Sequence, residues 1–533
     1  MIKLLKILGH TITISFEWVL LFIIFFSFAI HTSPVQTFVT KKVTNYLSSE
    51  LKTEINIDRV SIGFVNKIIL EGVLVKDLEK DTLAYISNLY VTLDQINSKG
   101  KIIINEVEIE NSVFNLIQRK KGGDFNYEFL EDYFSSDKTA AESKPIVIEL
   151  KKLHLTNVDF KYDRKHKDYY EFGMDYDHLD ITDIHLDMNK ILIDKGVITA
   201  NIKRLSANER CGFQLSKFVG KAKVSEKGIE ATNVFIKTPH SKIYAPKVGI
   251  IMNDYYDYLE FIDSASFDGK LAYSKVSMSD ISYFAPELEG MDQIVYVSGT
   301  VKEKTKNLKI SNFILKTGKH TNMRGSINLP DFRRLDQAFF NQTLKYAYIS
   351  IADLKKIKLP KLAGTKFIEL DETIERLGYF EAMNARLNGF TSQFVVGAKT
   401  VKTALGKIEM NNGMLFTENK ANNSYLFEKS EASEFDVNIQ QLNLGKLINN
   451  SDLGIIDGTF FLSGHAYSFS DIRFTSIQGK INQLDYLGYN YKNITVEKAS
   501  FFDNIFDAKI NIDDENLTLA YDGIIDLNKI PTY

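Results

Sequence analysis

The chain has 533 residues, a net charge of -3, 44% hydrophobic and 25% charged residues, which is enough apolar material for a large buried surface. The near-neutral balance excludes a bulk electrostatic pull toward nucleic acid or anionic membrane. The single Cys211 excludes an intrachain disulfide and reads as a small buried residue, and the 8 prolines leave room for long hydrogen-bonded ladders.

At the N-terminus Lys3 and Lys6 precede the apolar run TITISFEWVLLFIIFFSFAI (11–30), broken only by Glu17 and a few hydroxyls. That length spans a hydrocarbon core of about 30 Å. The run reads as a retained anchor built on Trp18, Leu20, Leu21, Phe22, Ile23, Ile24, Phe25 and Phe26, with a cytoplasmic N-terminus and everything after residue 31 translocated. The rival is a cleaved signal peptide, because Ser27-Phe28-Ala29 resembles a small-x-small site. Next, Ser33-Pro34 is a helix start, and Val35, Phe38, Val39, Val43, Tyr46 and Leu47 mark one face of an amphipathic helix over 32–52. Such a helix either lies on a membrane or plugs the start of a sheet.

From residue 53 onward the pattern is alternation, the period of a strand. INIDRVSIGF (55–64), LEGVLVKD (70–77), NLYVTLDQI (88–96) and KIIINEVEIENSVFNL (101–116) read as strands, with a bulge expected at Gly72. The polar stretch YFSSDKTAAESKP (133–145) reads as a flexible loop, after which strands resume almost without pause.

A phrase recurs in these strands. Two apolar residues in alternation precede an Asn or Asp, and a second apolar patch follows. The instances are Val107 and Ile109 before Asn111, Leu153 and Leu155 before Asn157, and Ile229 and Ala231 before Asn233. Further along come Val276 and Met278 before Asp280, Leu308 and Ile310 before Asn312, and Ile408 and Met410 before Asn412. Members of a pair lie two apart and share a face. Asn and Asp tolerate the left-handed conformation of a bulge, so the second patch starts in a new phase. The irregular spacing excludes a strict repeat such as a propeller blade. Short helical pieces are expected in 122–134, 280–291 and 368–383.

No HExxH, GxxxxGK[ST], GxSxG or GxGxxG motif occurs in a context that would carry chemistry. DYDHLDITDIHLD (175–187) reads as a solvated acidic strand with His178 and His185 on opposite faces, not as a metal site. KYDRKHKDYY (161–170) reads as a surface loop and Asp513-Asp514 as part of a hairpin turn. No catalytic constellation, metal site or cofactor is expected, and no nucleic-acid partner.

SSELKTEINIDRVSIGFVNKIILEGVLVKDLEKDTLAYISNLYVTLDQ (48–95) resembles the opening of AsmA-like proteins of the TamB branch. The features are the phrase Leu70-Glu71-Gly72-Val73, the acidic turn Asp77 to Asp81 and, further on, a Gly-x-x-Asn turn at GGDFNYEFL (122–130) with Asn126 in the Asn position. Stretches 276–313 and 458–501 are similar to the repeating body of bacteroidete-type members, so the resemblance is cumulative and covers most of the chain.

The resemblance implies a mainly β fold: a transmembrane helix, then a long, open, U-shaped, taco-like β-sheet groove with a few short helices. It divides the chain into an anchor (1–31), an amphipathic helix (32–52), a first AsmA-like β segment (53–132), the loop (133–145) and an elongated groove (146–533). The chain stops in the strand-like DGIIDLNKIPTY, so the groove is expected to continue. The implied function is conduction of phospholipids from the inner membrane toward the outer membrane. Acyl chains would lie against the phrase residues Val107, Ile109, Leu153, Leu155, Ile229, Val276, Met278, Leu308, Ile310, Ile408 and Met410. The alternative is a scaffold for outer-membrane protein assembly through exposed strand edges. Family members also pair with an outer-membrane barrel of the Omp85 class, through a domain not recognisable in this sequence.

Overall fold

The computed structural model describes residue 42 and residues 44–526, apart from 64–65, 98–100, 136–146, 195, 254–264, 305–306, 331–338, 362–365, 391, 420–423, 430–436, 467–471 and 503–504. The expected anchor residues Trp18 and Leu20 to Phe26 lie outside the described residues. Among the described residues no helix is long and apolar enough to cross a membrane. The chain is mainly β and divides into two compact units, Met1–Gly290 and Met291–Tyr533.

The first unit carries β1 (Ile55–Gly63), β2 (Lys67–Lys76), β3 (Thr82–Asn97), β4 (Lys101–Gln118), β5 (Val147–Arg164), β6 (His178–Asp194), β7 (Val197–Glu209), β8 (Gln214–Ser225), β9 (Gly228–Lys237), β10 (Lys242–Ile251) and β11 (Ser266–Ser277). Each strand pairs with the next, antiparallel throughout except for the parallel join of β4 to β5. A parallel join needs a crossover. That connection contains the helix Glu128–Ser135, which takes in the first residues expected of the loop at 133–145.

The second unit carries β12 (Ile294–Lys304), β13 (Asn307–Thr317), β14 (Thr321–Pro330), β15 (Phe339–Ser350), β16 (Tyr379–Phe390), β17 (Gln393–Lys402), β18 (Lys407–Asn419), β19 (Ser424–Lys429), β20 (Val437–Asn443), β21 (Leu453–Ala466), β22 (Ile472–Tyr486), β23 (Tyr489–Tyr491), β24 (Ile494–Phe502), β25 (Ile505–Asp514) and β26 (Leu517–Asp526). It too is an antiparallel meander. Short strands β19 and β20 share one position between β18 and β21.

The left-handed conformation expected at the phrase positions occurs at four of the six. Asn111, Asn157, Asn233 and Asn312 all adopt positive φ, between 49° and 53°. Each resets the alternation: Val107 and Ile109 share the apolar face before Asn111, whereas Ser112 and Phe114 do so after it. Two of them, Asn111 and Asn157, also align with Gly72. Glu71 pairs with Asn88 and Val73 with Ile86, which sets Gly72 (φ 64°) against Ser87. The flanking pairs then set Ser87 against Asn111 and Asn111 against Asn157, whose side-chain amides are hydrogen-bonded at 2.8 Å. The β2–β5 ladder passes through this row without a register shift. A Cβ on Gly72 would fall 1.9 Å from the Asp58 carboxylate.

Asp280 corrects the pattern. β11 ends at Ser277, Met278 opens the short helix Met278–Ser282, and the buried Asp280 accepts from the Thr238 hydroxyl (2.6 Å) and the Ser241 hydroxyl. The reason is a competing hydrogen-bond demand, because the β9–β10 turn needs an acceptor. The second unit repeats the device. Asp353 in the helix Ile351–Leu354 accepts from the N–H groups of Lys319, His320 and Thr321 in the β13–β14 turn. Asn412 lies within β18, and between the pairs Val396–Met414 and Ala398–Met410 that strand carries extra residues.

Other expectations shift at their edges. The helix expected over 368–383 is only Glu372–Arg376: Gly378 turns the chain at φ 70° and β16 begins at Tyr379. The helix at 44–50 plugs the sheet. Leu47 and Leu51 are buried against Ile55, Val75, Phe129, Leu130 and Tyr133, while Tyr46 points to solvent rather than sharing their face.

Candidate functional site

An apolar surface is built by register. In an antiparallel or parallel ladder, directly opposed residues share a face. Val60 opposes Leu70, Leu70 opposes Leu89, Leu89 opposes Ile109, and Ile109 opposes Leu155. The row continues through Leu186, Leu205, Phe218 and Ile236 to Ile243, so ten successive strands contribute one aliphatic or aromatic residue each. In the second unit a comparable row runs Val297, Leu315, Met323, Ala347, Ala382, Val401, Ile408, Ile439, Gly458, Ile481, Ile494, Ile512 and Leu519.

Burial along these rows is uneven. At the start of the first unit the row is fully buried within one apolar cluster, with Leu70 and Leu89 at 1% and 3% exposure. Val107 and Leu153 belong to this core, so they are packing residues rather than a free surface, and Ile109 and Leu155 sit half-buried against it. From Leu186 to Ile243 the row is half-buried throughout.

Of the other phrase residues, Ile229 is half-buried against Met252 and Ala265, and Val276 is buried at the end of β11. Met278 has left the strand and no longer shares the Val276 alternation, because the helix starts there. Leu308 and Ile310 in β13, and Ile408 and Met410 in β18, are half-buried. Leu186, Leu205, Phe218 and Ile243 were not singled out by sequence reasoning. Their strands alternate visibly, but nothing local tells which residues oppose one another.

The opposite face is polar. It carries the pairs Lys67–Glu108 (3.5 Å), Lys152–Glu106 (3.3 Å), Lys223–Glu230 (3.1 Å) and, in the second unit, Lys498–Asp507 (2.5 Å).

Carboxylates with displaced pKa values hold turns at strand ends. Burial raises the Asp77 carboxyl, but hydrogen bonds from Arg119 (2.7 Å), Asn126 (3.2 Å) and the Asp81 N–H (2.9 Å) outweigh it and hold the group below its usual value. The Asn126 side-chain Oδ1 accepts from the Ile117 N–H at 2.9 Å, locking the Gly-x-x-Asn turn against the acidic one. At Asp353 burial again opposes ionisation, and the Lys319, His320 and Thr321 donors bring the carboxyl down to about 2.

The 175–187 stretch corrects the reading of a solvated strand. Asp175 and His178 are buried, His178 Nδ1 lies 2.9 Å from Asp175 Oδ2, and Tyr169 stacks on the imidazole at 3.8 Å. Asp183, at φ 54°, resets the alternation between the two histidines, so His178 and His185 both turn away from the apolar face. Among the described residues no group of His, Cys, Asp and Glu could hold a metal. In 161–170 the exposed loop begins at Lys165, since Tyr162 and Asp163 are buried in β5. Cys211 is only half-buried; burial, then its contact with Glu209, raises the thiol to about 12.

Comparison with protein-family models, with curated proteins and with solved structures finds no match to this chain.

Proposed function

We propose that the chain is a conduit for phospholipid acyl chains, single-pass in the inner membrane with a cytoplasmic N-terminus and most of the chain in the periplasm, supporting outer-membrane biogenesis. The observation that carries this reading is the apolar row in each unit, half-buried over most of its length. In water a wall of this kind costs about 25 cal/mol per Å². An acyl chain laid along it recovers about 0.8 kcal/mol per buried CH₂. Rows crossing the strands give a chain a continuous path, which a closed enzyme pocket does not require. The aligned left-handed residues Gly72, Asn111 and Asn157 favour a sheet folded lengthwise into a U-shaped groove with the rows inside. The resemblance of 48–95 and of the later body segments to TamB-branch proteins supports the same reading, including an Omp85-class barrel as the outer-membrane partner.

A second reading is a scaffold that receives client strands by main-chain pairing at an exposed strand edge.

The deciding experiment is site-specific photo-crosslinking in cells. Probes stand at the half-buried Ile109, Leu155, Ile310 and Met410, with controls at their in-strand neighbours Glu108, Thr156, Lys309 and Glu409. Lipid adducts at the first set and not at the controls are expected. Protein adducts or none at all four apolar positions would retire the conduit and leave the scaffold ahead.

A further inference from the structure

The polar face of β8–β11 concentrates positive charge that the whole-chain balance hides. Lys217 opposes Lys237, Lys237 opposes Lys242, and Lys242 opposes Lys275, so four adjacent strands carry a lysine row. A second row reads Lys221, Thr232, Lys247 and Lys270. Between them run Val219, Phe235 and Tyr244, with Tyr273 next in register; both tyrosines are about half exposed. Lys247 pairs with Asp268 at 2.5 Å. Among the described residues the other six lysines have no carboxylate within ion-pair distance.

Like charges directly opposed on a sheet repel. Strands lie about 4.8 Å apart, well inside the Debye length of about 8 Å at physiological ionic strength, so the repulsion is not screened away. The arrangement therefore costs stability in isolation, and an anionic partner offsets that cost.

We propose that this face docks on a bilayer bearing anionic phospholipid headgroups. Lysine ammonium groups are compact point charges that suit mobile headgroup phosphates, whereas bidentate recognition of a fixed phosphate favours arginine. Tyr244 and Tyr273 have the apolar body and polar tip that settle at a headgroup layer. Single-stranded nucleic acid fits less well, because the Phe235 and Tyr244 rings pack on each other at 4.9 Å and leave no separate platforms for bases. Phe218, Ile236 and Ile243 alternate with these lysines and face the other way, so the docking face stands independently of the conduit reading.

The test uses the full chain with Cys211→Ala and Thr232→Cys, labelled at the centre of the patch with an environment-sensitive dye. It is titrated with vesicles of phosphatidylcholine alone, with vesicles of phosphatidylcholine mixed with phosphatidylglycerol, and with a single-stranded oligonucleotide. A dye response to the phosphatidylglycerol vesicles that falls with salt is expected. Each surface lysine contributes about fivefold, so Lys217→Gln, Lys237→Gln, Lys242→Gln and Lys275→Gln together should weaken binding at least tenfold, roughly. Four Lys→Arg changes at the same positions should retain it. The glutamine variant should also melt no lower than the parent, since it removes repulsion. An equal response to both vesicle types, an unchanged glutamine variant, or tighter binding of the oligonucleotide would each overturn the proposal.

Discussion

Asp353 and Asn312 illustrate how single residues hold this architecture. Asp353 accepts three backbone N–H groups and the Thr321 hydroxyl, and the carboxyl sits at about 2 against 3.8 for the free side chain. A group whose folded pKa is depressed contributes stability that is complete above its unfolded pKa and is lost as pH falls through the folded one. Hydrogen exchange of the 318–321 turn is therefore expected to be slow down to about pH 4 and to accelerate between about pH 4 and 2. Asp353→Ala should expose the same amides at neutral pH and cost roughly 1–3 kcal/mol, read from exchange protection in β13 and β14. Asn312, at φ 51°, makes a different demand. Asn312→Gly should be tolerated, whereas Asn312→Val should cost at least about 1–2 kcal/mol, because a branched Cβ crowds the left-handed backbone and lacks the short polar group that lets Asn adopt it. The Asn positions were legible in the sequence because the left-handed preference is local. Asp353 was not, because its donors lie more than thirty residues earlier in the chain.

At the scale of the element, the alternation that named the strands also named their faces, once the phase reset at each left-handed residue was allowed. Where local signals conflicted, tertiary pairing won. The segment 368–383 contains a short helix with Asp371 as a hydrogen-bonded N-cap, yet from Tyr379 it joins β15, and the Tyr348 and Tyr379 rings stack at 5.0 Å. Glycines placed among aromatics show why register matters. Phe460 pairs with Gly479, and a Cβ there would lie 2.3 Å from the Thr459 carbonyl and 3.0 Å from the Phe460 ring. Gly479→Val is expected to force the β21–β22 pair apart and to cost about 1–3 kcal/mol, measured as lost amide protection in those two strands. Phe460→Ala leaves the backbone contact untouched and does not rescue it.

For the whole molecule, each unit has one apolar and one polar face, and the expected consequences differ by face. Photo-crosslinking probes on the apolar rows should capture acyl chains, while the lysine rows of β8–β11 should respond to anionic headgroups and to salt. Loss of either signal leaves the other intact, because alternating residues carry them.

By itself the sequence determined the mainly β class, most strand positions, the left-handed Asn residues and the absence of recognisable catalytic motifs. Those properties depend on side-chain period and local backbone preference, which a window of ten residues contains. Only the tertiary structure decided which residues oppose one another. That choice makes Val107 and Leu153 core and leaves Ile109 and Leu155 half open; it also aligns four lysines that lie as many as 58 residues apart (275 − 217). Register has this power because the side-chain period in a strand is two: a slip of one residue exchanges the faces, and no local stretch records its partner's phase.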